Sequence, residues 1–210
     1  MRLKYYMRIA ISGNIGAGKT SLVKLISKSL GYTPYYEDVI ANPYLDDFYN
    51  HMERWSFNLQ IYYLNSRFTQ IQEIQRTEKT VIQDRTIYED AYIFAPNLHA
   101  MNLMSKRDFD NYVSLFDLMN SLVKAPDLLI YLRSSVPNLV NNIQKRGREY
   151  ETSIRLDYLN RLNERYEAWI SEYNEGKLMI IDVDTNNFND NPEDLGKVIS
   201  KIDAEINGLF

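Results

Sequence analysis

The sequence predicts an α/β protein built on a parallel sheet with helices on both faces. Three observations carry that expectation. Short, nearly continuous apolar runs recur along the chain, longer amphipathic segments separate them, and the glycine-rich stretch Gly13-Asn14-Ile15-Gly16-Ala17-Gly18-Lys19-Thr20 falls between the first run and the first helical pattern. Apolar runs without alternation are the pattern of parallel strands covered on both sides.

The first run, 7–12 (MRIAIS), reads as a strand. Behind the glycine-rich stretch, Ser21 to Leu30 carries apolar residues at helical spacing (Leu22, Leu25, Ile26, Leu30) and is closed by Gly31, which predicts a helix. A second strand is expected just ahead of Glu37. Phe48 to Arg76 contains no Gly or Pro and places Trp55, Leu59, Tyr62, Tyr63 and Phe68 along it, which predicts one long helix. The runs TVIQD (80–84), PDLLIYL (126–132) and KLMIIDV (177–183) predict three further strands buried on both faces. Helices are expected near 106–123, 136–146, 154–174 and 193–207, and the stretch 182–194 reads as a polar loop. No repeat, linker or low-complexity tract interrupts the pattern, so residues 1–210 are expected to form one domain.

A chain of 210 residues can bury a sizeable core. Its formal charge of −4 offers no basic surface for a nucleic-acid backbone, so any nucleotide partner is expected to be small and locally gripped. There is no cysteine, which excludes disulfides and thiolate metal sites. The N-terminal MRLKYYMRIAIS is too briefly apolar for an export signal or membrane anchor, and a cytoplasmic location is expected.

The glycine-rich stretch matches G-x-x-x-x-G-K-[ST]. Glycines let successive backbone N–H groups turn inward to form an anion nest, and the helix behind adds its positive end. Residues Gly13 through Ser21 are therefore expected to hold the phosphates of a nucleoside triphosphate, with Lys19 supplying a point charge and Thr20 a hydroxyl for Mg²⁺. Such a loop also serves switch GTPases and motors. Neither an Asn-Lys-x-Asp guanine-reading motif nor an Asp-x-x-Gly switch is present, which argues against a signalling GTPase.

Four further polar stretches stand out: Glu37 in YYEDVIANPYLDDFY, Trp55 and Gln60 in ERWSFNLQ, Asp84-Arg85-Thr86 in QDRTIYEDAYIFA, and Arg146 to Glu151 in RGREYE. Together with the phosphate loop they resemble the deoxynucleoside kinase family, most closely its bacterial deoxyadenosine/deoxyguanosine kinase branch. The resemblance runs over nearly the whole chain. It implies a P-loop kinase fold with a five-stranded parallel sheet, helices on both faces and a small lid at about 144–153. It also implies Mg²⁺ and ATP as phosphoryl donor, a deoxynucleoside as acceptor, and commonly a dimer joined through long helices, for which those near 48–76 and 106–123 are candidates.

The resemblance assigns roles by position. Glu37 takes the 5′-hydroxyl proton, Arg85 sits by the 5′-oxygen, and Asp84 contributes with Thr20 to the Mg²⁺ environment. Arg146 and Arg148 are lid arginines on the transferring phosphoryl, and forked guanidinium groups suit that task. Glu151 and Tyr49 accept from the sugar 3′-hydroxyl. Gln60 pairs with the base edge, its amide both donating and accepting, and Trp55 and Phe94 wall the base pocket. Arg67, two helical turns from Gln60 on the same face, pairs with Asp90, and their joint presence argues against thymidine. Thr185, Asn186, Asn187 and Phe188 match the segment holding the adenine of ATP. Ala91 stands where animal relatives usually carry Arg and Tyr63 where a small residue is common, and both departures leave the pocket shape open. The expectation is a kinase of purine deoxynucleosides in nucleotide salvage, deoxyadenosine ahead of deoxyguanosine, with deoxycytidine a further candidate. The alternatives are a thymidylate-type nucleoside monophosphate kinase and a non-catalytic nucleotide sensor.

Overall fold

The computed structural model describes residues 6–37 and 42–208. Five parallel strands stand in the order β2-β3-β1-β4-β5, where β1 is Arg8–Gly13, β2 Thr33–Tyr35, β3 Val81–Asp84, β4 Leu128–Arg133 and β5 Lys177–Asp182. Ile9, Ala10, Ile11 and Ser12 are all fully buried. Because successive strand residues point to opposite faces, such a run means that both faces of the sheet centre are covered. At the edge, β5 buries Met179 and Ile181 but leaves Ile180 39% exposed. The expected burial on both faces therefore fails for this strand, because an edge strand here has cover on one side only.

Helix α1 (Lys19–Leu30) follows β1 through the glycine-rich turn and buries Leu22, Val23 and Ile26. It ends as expected at Gly31, in left-handed conformation at φ 70°, whose N–H donates to the Ser27 carbonyl. The helix expected to run unbroken over 48–76 is two: α2 (Leu45–Asn50) and α3 (Met52–Arg76), separated at His51 with φ −143° and ψ 71°. No Gly or Pro marks the break. Tertiary packing imposes it, since the bend lays Tyr44 against the rings of Trp55 and Tyr62 and buries Phe48.

After β3, a single turn α4 (Ile87–Glu89) passes through a π-helical turn, Asp90–Phe94, into α5 (Ala95–Ala100). Periodicity alone does not reveal this segment, because the π-turn shifts the side-chain phase midway; such turns occur often at functional sites. Helices α6 (Lys106–Asn120), α7 (Val136–Arg146), α8 (Leu156–Glu172) and α9 (Pro192–Asn207) stand where the spacing predicts them. Among the described residues no helix is long and apolar enough to cross a membrane.

The topology gathers the polar motifs at one edge. The glycine-rich turn leaves β1, Arg85 leaves β3 and Glu37 follows β2, all at the carboxyl ends of parallel strands, where open α/β sheets place their ligands.

Candidate active site

Gly16, at φ +87°, lies so close to α7 that a Cβ there would stand 2.7 Å from the Leu139 carbonyl oxygen and 3.0 Å from Ile143 Cγ1, and Asn142 Nδ2 donates to the Gly16 carbonyl at 3.0 Å. Gly16→Ala would combine a backbone strain of about 1–3 kcal/mol with displacement of α7. The expected outcome is a lower melting temperature and ATP binding weakened by about tenfold or more, read by thermal shift with and without ATP. Asn14 ties the same turn to α8 by donating from Nδ2 to the Leu159 carbonyl at 3.2 Å and to Asn163 Oδ1 at 3.1 Å.

Lys19 is 7% exposed and donates from Nζ to the carbonyls of Gly13 and Asn14, both at 2.8 Å. Burial, with the nearby Arg85 adding to it and Asp84 opposing, brings its ammonium down to about 7. A phosphate beside it would restore the charge. Thr20 Oγ1 donates to Asp84 Oδ2 at 2.5 Å, while Asp84 Oδ1 is buried with no partner. Among the described residues no group of three or more acids or histidines could hold a metal by itself. A hydroxyl and one carboxylate with a free oxygen, beside a phosphate nest, suit an Mg²⁺ that takes its other ligands from phosphate and water.

Next to the turn lies a cavity of about 270 Å³, the size class of small-molecule sites. Of the residues the sequence singles out, Glu37, Tyr49, Gln60, Arg67, Asp90 and Phe94 line it, as do Arg85, Arg146, Arg148 and Glu151. Arg67 donates from Nη2 to Glu37 Oε1 at 2.7 Å and from Nε to Asp90 Oδ2, so one guanidinium bridges the two acids. Arg85 donates from Nε to Glu37 Oε2 at 3.3 Å. Burial would push the Glu37 carboxyl up, but Arg85, Arg67 and Lys19 outweigh it and hold it down at about 2. For Asp90 the balance goes the other way: burial pushes it up to about 6 against the pull of Arg67. Gln60 is 2% exposed, and its Oε1 is buried without a partner.

On the opposite wall Arg146 makes a two-pronged contact with Glu151, donating from Nη2 to Oε1 at 2.6 Å and from Nε to Oε2 at 3.0 Å, and Arg148 Nη1 reaches Glu151 Oε1 at 3.3 Å. Tyr150 stacks on Tyr49 with centroids 5.8 Å apart. Glu151 is thus held by the two arginines, because a buried carboxylate takes the strongest donors in reach.

Trp55 is not among the cavity-lining residues. It packs on Tyr44 at 5.7 Å and under the Arg54 guanidinium at 4.4 Å, outside the wall that Phe94 forms. Tyr63 and Tyr158 line the cavity in addition. Tyr63 has its ring 5.2 Å from the Arg67 guanidinium carbon, and Leu59 and Phe48 complete the apolar side. Thr185, Asn186, Asn187 and Phe188 do not line the cavity; of the four, Phe188 flanks the phosphate turn, 3% exposed and 3.4 Å from where a Cβ at Gly18 would stand.

A parallel sheet carrying a phosphate turn, with a buried carboxylate, guanidinium groups and a cavity beside it, defines an α/β phosphotransferase of the P-loop kinase fold. The deoxynucleoside kinase family model matches residues 9–207, and the chain belongs to that family. It is 41% identical to the deoxyadenosine/deoxycytidine kinase of Bacillus subtilis, over 92% of each chain. It is 38% identical to the deoxyguanosine kinase of Lactobacillus johnsonii, over 94% of this chain and 92% of that one. The solved deoxyadenosine kinase from M. mycoides with the products dCMP and dCDP superposes with TM-score 0.85 at 31% identity, covering 94% of this chain and 100% of that one. The protein is a deoxynucleoside kinase, an ATP-dependent phosphotransferase.

Proposed function

We propose that the enzyme phosphorylates deoxyadenosine at its 5′-hydroxyl in preference to other deoxynucleosides, with deoxyguanosine and deoxycytidine as weaker acceptors. The buried, unpartnered Oε1 of Gln60 in the cavity carries this reading. Adenine presents an amino donor beside a ring acceptor, which match a glutamine amide used at both ends. Cytosine presents the same pair on a smaller ring. Guanine and thymine present an oxygen beside a ring N–H and are read only with the amide rotated. The names of the relatives span deoxyadenosine, deoxycytidine and deoxyguanosine, which agrees with acceptors beyond one base.

In this reading Glu37, ionised at any physiological pH, accepts a hydrogen bond from the 5′-hydroxyl and orients it. As the bond from the 5′-oxygen to the γ-phosphorus forms and the bond to the β-phosphate oxygen breaks, the hydroxyl becomes strongly acidic. Even a carboxylate at about 2 then takes its proton. Arg85, beside Glu37, faces the same oxygen. Lys19 and the N–H groups of the phosphate turn hold the donor, and Thr20 and Asp84 would hold Mg²⁺, which supplies charge neutralisation on the phosphates. Arg146 and Arg148, on a lid at 144–153 within a single domain, leave Glu151 to meet the phosphoryl group, and Glu151 with Tyr49 then accepts from the 3′-hydroxyl. The loop at Thr185 to Phe188 borders the adenine of ATP.

The test is ADP release from Mg²⁺-ATP against deoxyadenosine, deoxyguanosine, deoxycytidine, thymidine and the deoxynucleoside monophosphates. Strongest stimulation by deoxyadenosine and least by thymidine is expected; a preference for thymidine or for the monophosphates overturns the reading.

The enzyme works as a homodimer in the cytoplasm, with α6 in the contact. No large apolar side chain described in α3 is strongly exposed, whereas Leu118 near the end of α6 is 62% and Leu122 just beyond it 63% exposed. Paired apolar residues this open favour burial by a second copy. Changing both to Glu is expected to halve the mass seen by light scattering; an unchanged mass removes α6 from the contact.

A further inference from the structure

Arg85 has a backbone that few side chains adopt, with φ +70°, in the left-handed region. Contacts from other segments of the chain fix where its guanidinium points. Its Nη1 donates to the Tyr166 hydroxyl at 2.7 Å, and the same atom lies 4.0 Å from Glu89 Oε1. The ring of Phe94 lies beneath, 4.9 Å from the guanidinium carbon. Only Nε is then turned to Glu37, at 3.3 Å.

Tyr166 and Glu89 are both fully buried and neither is among the residues lining the cavity, so neither can reach substrate. Tyr166 stands on the inward face of α8 with Leu159, Leu162 and Ile170, and its ring is fixed between Tyr131, stacked at 5.9 Å, and the edge of Phe94 at 6.4 Å. Glu89 is fixed too: its Oε2 accepts from the Thr86 hydroxyl at 2.6 Å and from the Thr86 N–H, closing a capping box around α4. That leaves Oε1 without a hydrogen bond and facing Arg85.

We propose that Tyr166, with Glu89 beside the same guanidinium nitrogen, is a positioning residue for phosphoryl transfer: its hydroxyl holds the Arg85 guanidinium so that Nε faces Glu37 and the reacting oxygen. The proposal rests on the roles given above to Arg85 and Glu37. A phenol suits this place better than a second close carboxylate would. Burial pushes its ionisation well above the ordinary tyrosine range, so it accepts as a neutral group and leaves the Arg85 charge available to the transferring phosphoryl. A misaimed guanidinium would weaken the transition state more than substrate binding, because the charge it meets develops only in transfer.

Tyr166→Phe removes the hydroxyl and keeps the ring between Tyr131 and Phe94. The expected result is kcat lowered about tenfold or more with both KM values unchanged, since the lost bond is to a charged group. In an Arg85→Lys background the same change should cost nothing further, because the hydroxyl acts only through Arg85. Wild-type turnover in Tyr166→Phe, or the same loss repeated in the Arg85→Lys background, overturns the proposal. If Tyr166→Phe does not fold, Glu89→Gln must lower kcat at unchanged KM, and full activity there overturns the proposal equally. Glu37→Gln is assayed alongside. Normal turnover in that variant removes Glu37 as proton acceptor, whereas an inactive Glu37→Gln with a fully active Tyr166→Phe sinks only the positioning role.

Discussion

Glu37→Gln is expected to lower kcat by roughly 10²-fold or more, with little change in deoxynucleoside affinity. The substitution is nearly isosteric and removes a charge that two guanidinium groups currently hold, Arg67 at 2.7 Å and Arg85 at 3.3 Å. Neither is left alone by the change. Arg67 keeps its bond to Asp90, and Arg85 keeps the Tyr166 hydroxyl, so the fold should survive and the loss should fall on chemistry. An amide at this position can still orient a hydroxyl by accepting from it, but it cannot retain the proton. The deficit should therefore appear in single-turnover transfer as well as at steady state. Its falsifying result is near-normal single-turnover transfer, which would leave the proton to water or phosphate and reduce Glu37 to a partner for Arg67.

Sequence patterns exposed the parts of this molecule in which local chemistry and global fold agree. The phosphate turn is visible because its glycines are demanded by backbone geometry, as Gly16 shows by its contact with the Leu139 carbonyl. The central strands are visible because burial on both faces writes an unbroken apolar run. Arg67 could be placed on the face of Gln60 because an offset of seven is two helical turns, whereas its pairing with Asp90 followed from the family resemblance alone.

What stayed hidden is set by packing between distant segments. Nothing near His51 signals a break, since the bend exists to let Tyr44 meet Trp55. Trp55 illustrates the same limit from the other side: an aromatic residue a helical turn and a residue before Gln60 packs beside the cavity, not in it. The bridging of Glu37 and Asp90 by one arginine joins three segments that no spacing rule connects. Tyr166 is one of 17 tyrosines, and only the partner 81 residues away distinguishes it.

Arg67→Met is expected to show the largest loss of stability, and a loss that depends on pH. Arg67 and Asp90 have side chains only 3% and 2% exposed. Removing one member of so buried a pair typically costs about 3–5 kcal/mol, because the other charge is left uncompensated. At about 2–4 °C per kcal/mol for a chain of this size, the melting temperature should fall by roughly 10 °C. Asp90 already lies at about 6 with Arg67 beside it, because burial outweighs the guanidinium, and without Arg67 it should lie higher still. A carboxyl whose folded-state value exceeds its unfolded value contributes most at low pH, and that contribution is lost as pH rises through the folded-state value. Arg67→Met should therefore be closest to wild type near pH 5 and fall behind up to pH 8, by at most about 1.4 kcal/mol per pH unit. Replacing Asp90 by Leu in the same protein removes the stranded acid, so the double variant should melt above Arg67→Met at pH 8 and lose the extra pH dependence. It should also rank the bases differently while using ATP as before, because both residues line the cavity and neither belongs to the phosphate turn. Thermal melts of the three proteins between pH 5 and 8 decide the first point, and parallel curves would mean that Asp90 is held by groups other than Arg67. An unchanged ranking of acceptors in the double variant would take the pair out of base selection and leave it to brace Glu37.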